Sequence, residues 1–268
     1  MSTDEDMIIE ATEIVEHAKQ MEIPVRILGG CAVRIHCPAH TELHKVKMQR
    51  KIPDIDFITL GKHKTNLKDL LGKLSYELQL VMVENERAIY HSNIKEITTD
   101  VFFDVIRMCH IINIKERLEN DFPTITLADL MLAKLQVVKI NRKDISDVVV
   151  LLLEHELGDT DKETINVGHI ARLLSNDWGF YHTLTSNLRK TEEALDSYRD
   201  MLSPEELEMV RSRIGMMIAR LEKEPKSTRW KMREKVGTRK LWYTEVEEQQ
   251  RGSLAEYLTN KGKREATS

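Results

Sequence analysis

The chain has 268 residues, 41% of them hydrophobic and 31% charged, with 40 basic against 44 acidic side chains and a net charge of -4. That is apolar material for one or two packed cores, with two domains the expectation, and it excludes a disordered chain. The near balance of charge excludes a global attraction to nucleic acid or membrane and leaves only local patches to make one.

Three cysteines, Cys31, Cys37 and Cys109, are too few and too odd a set for a disulfide framework and fit a reducing compartment. The first residues are acidic where a secretory leader would be basic, and the most apolar run, "VVVLLL", is far below the roughly 20 residues that span a bilayer. A cytoplasmic protein with no membrane partner is the expectation.

In chain order, Ile8, Ile14, Val15, Ala18 and Met21 mark an amphipathic helix that Pro24 closes. "PVRIL" reads as a buried strand, Gly29 and Gly30 as its exit, and "CAVRIH" as the first turns of a helix. Residues 38 to 51 are a polar, basic connector. "IPDIDFITL" alternates as a second strand, and Leu67, Leu70, Leu71, Leu74 and Leu78 give another helix. Weaker strands follow near 79 to 83 and 87 to 91, and "ITTDVFFDVIRM", 97 to 108, is a strong one.

After Pro123 the pattern turns helical. Thr126 caps "LADLMLAKLQVVKI", with "RKDISDVVVLLLEH", "INVGHIARLLSN" and the stretch from Trp178 to about 200 as further helices. Ser203 with Pro204 starts a fifth that runs to about 223. The fold class is therefore α+β: a mixed β-sheet with flanking helices over residues 1–125, an α-helical domain over 126–224, and a basic C-terminal segment over 225–268.

Asp54 and Asp56 stand two apart on a strand and project from one face, where two carboxylates repel unless a cation lies between them. Asp100 and Asp104 share a face of the third strand in the same way, and spacing alone leaves open which joins the pair. Three carboxylates from two strands make the hard-oxygen ligand set of Mg²⁺ or Mn²⁺, and two such ions suit an in-line phosphoryl displacement. Gly29 and Gly30, lacking Cβ, would let a triphosphate approach the amides at the start of the next helix, with Arg50 and Lys51 close by.

A glycine pair, then an Asp-x-Asp strand, then an Asp on a later strand resembles the nucleotidyltransferase superfamily of DNA polymerase beta. "GGCAVRIH" with "DIDFITL" is similar to the form in nucleotidyltransferases related to the AbiEii abortive-infection toxins, and "LADLMLAKLQVVKINRKDISDVVVLLLEH" is similar to that family's helical motif. The likeness covers residues 25 to about 155.

It implies transfer of a nucleoside monophosphate from an NTP to an acceptor hydroxyl, in RNA or protein, with loss of pyrophosphate. Asp54, Asp56 and Asp100 would bind metal, the last favoured over Asp104. Gly29, Gly30, Arg50 and Lys134 would hold the triphosphate, Asp144 would orient Lys134 or the acceptor, and an antitoxin partner is implied. A non-catalytic nucleotide- or RNA-binding protein that kept the fold is the alternative. The chain departs from the family where Gly30 stands in place of a frequent Ser.

Simpler readings stand beside these. Lys134 fits a lysine lying along a helix flank, Asp144 a charge favoured by a helix N-terminus, and Asp147 an exposed neighbour on the same face. Cys37, His40 and His44 have zinc-like gaps but no well-spaced fourth ligand, so they read as core cysteines and loop histidines. The segment 226 to 243 holds seven Lys/Arg against one acid with Trp230, Trp242 and Tyr243 interleaved. It suits an RNA acceptor, or else an arm whose aromatics pack on the body.

Overall fold

Thr3 opens the first helix by a reciprocal cap: its hydroxyl accepts the Asp6 amide at 3.2 Å and its amide donates to the Asp6 carboxylate at 2.8 Å. In the computed structural model, which describes residues 3–83 and 86–245, this helix α1 is Asp4–Gln20. The chain continues through β1 (Val25–Leu28), α2 (Gly29–His36), β2 (Ile55–Thr59), α3 (Lys64–Lys73), β3 (Glu77–Met82), β4 (Arg87–Ser92), β5 (Ile97–Phe103), β6 (Val105–Arg107) and β7 (Ile111–Asn113).

Helices α4 (Leu127–Leu135) and α5 (Arg142–Glu154) follow, then the two-residue strands β8 (Leu157–Gly158) and β9 (Ile165–Asn166). The rest is α6 (Val167–Leu174), α7 (Trp178–Ala194), α8 (Pro204–Lys223) and α9 (Thr228–Val236). The architecture is α+β, as the sequence pattern implies. No described helix is long and apolar enough to cross a membrane.

The main sheet has the order β1-β2-β5-β4-β3, with β2 and β5 parallel and the other pairs antiparallel. Register lays out two rows across it. One runs Ile27, Phe57, Val101, Ala88, with all four buried. The neighbouring row is Leu28, Asp56, Asp100, Ile89, Leu80, and every member lines one cavity. The alternation of strand side chains thus places the acids on the face opposite the apolar row. One apolar core runs from Ile14 and Phe57 through Leu130 and Leu151 to Phe180 and Ile214.

Several elements end sooner than periodicity suggests. The leucine helix stops at Lys73, because Ser75 takes a left-handed φ of 68° and the Tyr76 amide returns to the Leu71 carbonyl, so Leu78 belongs to a strand. Helix α4 stops at Leu135 rather than near 140. Asn187 of α7 donates its side-chain amide to the Leu135 and Val137 carbonyls at 2.9 and 2.7 Å, satisfying them without another helical turn. The connector 38–51 is not open loop: it holds a 3-10 turn at Pro38–His40 and a π-helical turn at Leu43–Lys47, with Leu43, His44, Met48 and Arg50 buried.

Candidate functional site

The 97 to 108 stretch is two strands, and the break separates Asp104 from Asp100. Asp104 has a φ of 64°, its amide donates to the Thr59 carbonyl at 2.8 Å, and its carboxylate accepts the Gly61 amide at 3.0 Å. It therefore lies off the β5 face and serves the turn after β2, with Lys115 3.5 Å away. Asp100 stays in the ladder, directly beside Asp56 on the parallel neighbour. The two do not share a face, since the left-handed residue interrupts the alternation that put them together.

Asp54, Asp56 and Asp100 line a cavity of about 400 Å³ with Gly29, Gly30, Arg50, Lys134 and Asp144, so the structure gathers every expected site residue around one space. Neither the Asp54 nor the Asp56 carboxylate has a hydrogen-bond or ion-pair partner among the described residues. Burial pushes the Asp54 carboxyl up to about 7, and the Asp56 charge beside it adds to the shift. Burial raises Asp56 as well, against the pull of Lys134, Arg87 and Arg50. For both acids burial outweighs the pull of the three cations, so their charged forms are disfavoured, which is what a cation between them would relieve.

Asp100 differs. Arg87 of β4 closes on it with Nε to one oxygen and a terminal nitrogen to the other. Among the described residues no three ligating side chains are already gathered as a metal cage. Two free acids and one closed by arginine fit a divalent cation at Asp54 and Asp56, with the third acid in reserve. Arg87 gives no sign in the sequence, where it is one basic residue at the start of a weak strand; only the β4–β5 pairing brings it here.

Gly29 sits at the corner between β1 and α2 with a φ of 69°, and a Cβ there would fall 1.8 Å from Oδ2 of Asp56. A Cβ on Gly30 would fall 2.9 Å from a terminal nitrogen of Arg50. The glycine pair is therefore required first by the acid and arginine that stand against it, whatever later approaches the helix start.

Asp147 is the residue the sequence underrated. Expected on an exposed face, it is fully buried on α5 and collects three basic partners. Lys134 Nζ lies 2.6 Å away, His44 Nε2 donates at 2.8 Å, and Arg50 donates through Nε at 2.9 Å and a terminal nitrogen at 3.0 Å. Burial alone would raise this carboxyl; Lys134, His44 and Arg50 more than offset it and hold it well below the usual range. His44 is kept neutral mainly by burial, and its Nδ1 accepts from Arg34.

Arg50 is accordingly a tie between the connector and α5 whose guanidinium also edges the cavity. Lys134 has Asp144 at 3.6 Å as a second acid. Burial works against its charge, but Asp147 and Asp144 prevail, so Nζ remains an ammonium near Asp56. His40 pairs with Glu154 at 2.8 Å, and Cys31 and Cys37 are buried thiols whose pKa burial raises.

Over its described part the basic segment forms α9, a 3-10 turn at Gly237–Arg239 and irregular chain to residue 245. Trp230 is 6% exposed and meets Tyr181 edge-on, Trp242 meets His182 and donates to Thr183 at 3.1 Å, and Arg233 lies over Trp178. These aromatics pack on α7, which is the arm reading. Residues 246–268 of the expected C-terminal segment lie outside the described residues.

No protein-family model matches the chain, and no curated protein matches it. Among solved structures, the antibiotic-resistance factor ANT(2'')-Ia in solution aligns with a TM-score of 0.39 and 13% identity, over 63% of this chain and 92% of that one. An antigenic nucleotidyltransferase-like protein from Paracoccidioides brasiliensis aligns with a TM-score of 0.37 and 12% identity, over 84% and 96%. Likeness this slight leaves the function to be read from the site.

Proposed function

We propose that the protein is a metal-dependent nucleotidyltransferase that moves a nucleoside monophosphate from an NTP to an acceptor hydroxyl and releases pyrophosphate. The observation that carries this reading is the pair Asp54 and Asp56: unpartnered, raised in pKa, and facing a cavity that also holds a buried ammonium and a glycine corner. Asp54 and Asp56, joined by Asp100, would hold Mg²⁺ or Mn²⁺, which would supply charge neutralisation and Lewis-acid polarisation of the phosphoryl group. The motif order supports the narrower likeness to AbiEii-type enzymes.

The chain's own residues do the rest. Gly29 leaves the start of α2 bare of side chain, so amide groups and the helix dipole face the polyphosphate. Lys134, fixed between Asp147 and Asp144, presents a preorganised positive charge to phosphate oxygens as negative charge moves onto the leaving pyrophosphate. The acceptor oxygen bonds to the α-phosphorus, the bond from that phosphorus to the β-bridging oxygen breaks, and the hydroxyl proton passes to a carboxylate, Asp100, the acid next to Asp56.

A second reading, a nucleotide-binding module without catalysis, is favoured by one observation: Asp100 is closed by Arg87. Labelled NTPs with Mg²⁺ and a mixed set of RNA and protein acceptors separate the two. Transfer that disappears in Asp54→Ala is the expected result. Saturable nucleotide binding with no transfer to any acceptor would replace the enzyme with the module.

A further inference from the structure

We propose that Arg87 is a positioning residue that keeps Asp100 out of the cation site, so that the closed site takes one divalent cation on Asp54 and Asp56 and admits a second only when Arg87 lets go. The inference rests on the cation site of the proposed function and goes beyond it, since it assigns the third acid a closed and an open state.

Asp56 and Asp100 are register neighbours on parallel strands and face the same cavity, yet their surroundings are opposite. The Asp56 carboxylate has no hydrogen bond or ion pair among the described residues and feels Arg87 only through its charge, while both oxygens of Asp100 accept from Arg87 directly. A carboxylate that receives two N–H groups of one guanidinium has committed the lone pairs a metal would use. A second divalent ion there would also stand against a fixed positive charge, so guanidinium and ion compete for Asp100.

The hold on Asp100 is built into the sheet. Arg87 is the register partner of Phe102, two residues along β5 from Asp100, and its guanidinium lies 5.1 Å from the Phe102 ring centre. The side chain therefore reaches diagonally to Asp100 across an aromatic surface that suits a planar cation. A polyphosphate in the cavity offers that same guanidinium bidentate oxygens of higher charge. Binding of the nucleotide then draws Arg87 away and frees Asp100, which orders assembly: first cation, polyphosphate, second cation.

Titration of the full chain with Mn²⁺ alone, read by the electron-spin signal of free Mn²⁺, tests this without any turnover. The expected result is one Mn²⁺ per chain for the native protein and two for Arg87→Gln, with the second site gaining roughly tenfold to a hundredfold in affinity. Adding Asp100→Asn to Arg87→Gln should return the count to one. Arg87→Lys, which keeps the charge but gives up the paired contact, should show a second site of intermediate affinity and serves if the glutamine chain does not fold. Equal counts in the native and Arg87 variants, with binding lost in Asp54→Ala, would overturn the role of Arg87 alone. No Mn²⁺ bound by any of these chains would overturn the cation site, and the proposed function with it.

Discussion

Gly29 and Asp56 occupy one place between them: a methyl group on residue 29 would fall 1.8 Å from the Asp56 carboxylate oxygen. The backbone adds to this, because a φ of 69° is strained for any side chain. Gly29→Ala is expected to destabilise the fold by about 2–4 kcal/mol and to displace Asp56 enough to abolish Mn²⁺ binding. Urea unfolding and Mn²⁺ titration check the two effects; a variant as stable as the native chain would show that the corner relaxes freely.

The sign of the Asp54 shift gives a substitution that stabilises. Its pKa rises from an ordinary 3.8 to about 7 on folding. Below pH about 4 the group is protonated in both states and contributes nothing. As pH rises towards 7 the unfolded chain ionises first, so the native protein loses stability across that window and stays penalised above it. Asp54→Asn should therefore unfold later than the native chain at pH 8 in EDTA, by about 1–3 kcal/mol, with no difference at pH 4. Added Mg²⁺ should stabilise the native chain and not the variant. A variant less stable at pH 8 in EDTA would mean that Arg87, Arg50 and Lys134 outweigh the burial of Asp54.

Asp147 makes the opposite case. Its carboxyl is held below the ordinary value of 3.8, so its contribution is present above pH about 4 and lost as pH falls into the acid range. Asp147→Asn takes the buried acid from Arg50 and leaves Lys134 only Asp144 at 3.6 Å, and should cost about 3–5 kcal/mol near neutral pH. The gap should narrow in acid. Thermal melts from pH 3 to 8 follow it; a constant gap would point to packing rather than charge.

The one aromatic of α9, Trp230, separates an arm packed on the body from a nucleic-acid platform. Trp230 is buried against Tyr181, so Trp230→Ala should destabilise by about 3 kcal/mol. Lys231→Glu and Lys235→Glu, both on the exposed side of the helix, should leave stability unchanged. Unfolding curves of the three variants decide it, and a neutral Trp230→Ala would return the tryptophan to the surface.

Much of this molecule is local and legible in the chain itself. Strand alternation put Asp54 and Asp56 on one face, capping residues marked Thr126 and Ser203 as helix starts, and the glycine pair marked a corner. Where reading along the chain failed, the missing information lay across the fold. Asp104 left the face of Asp100 because Gly61 and Thr59, more than forty residues earlier, hold it in a left-handed turn. Asp147 is buried because Lys134, His44 and Arg50 converge on it from other segments.

The sequence by itself thus determined the helices and strands, their apolar faces and the supply of acids, since these follow from periodicities of a few residues. The tertiary structure decided which acids meet, which is closed by Arg87 and which glycine must lack a side chain. Strand order, parallel pairing and the approach of distant backbones set those relations, and no stretch of neighbouring residues carries them.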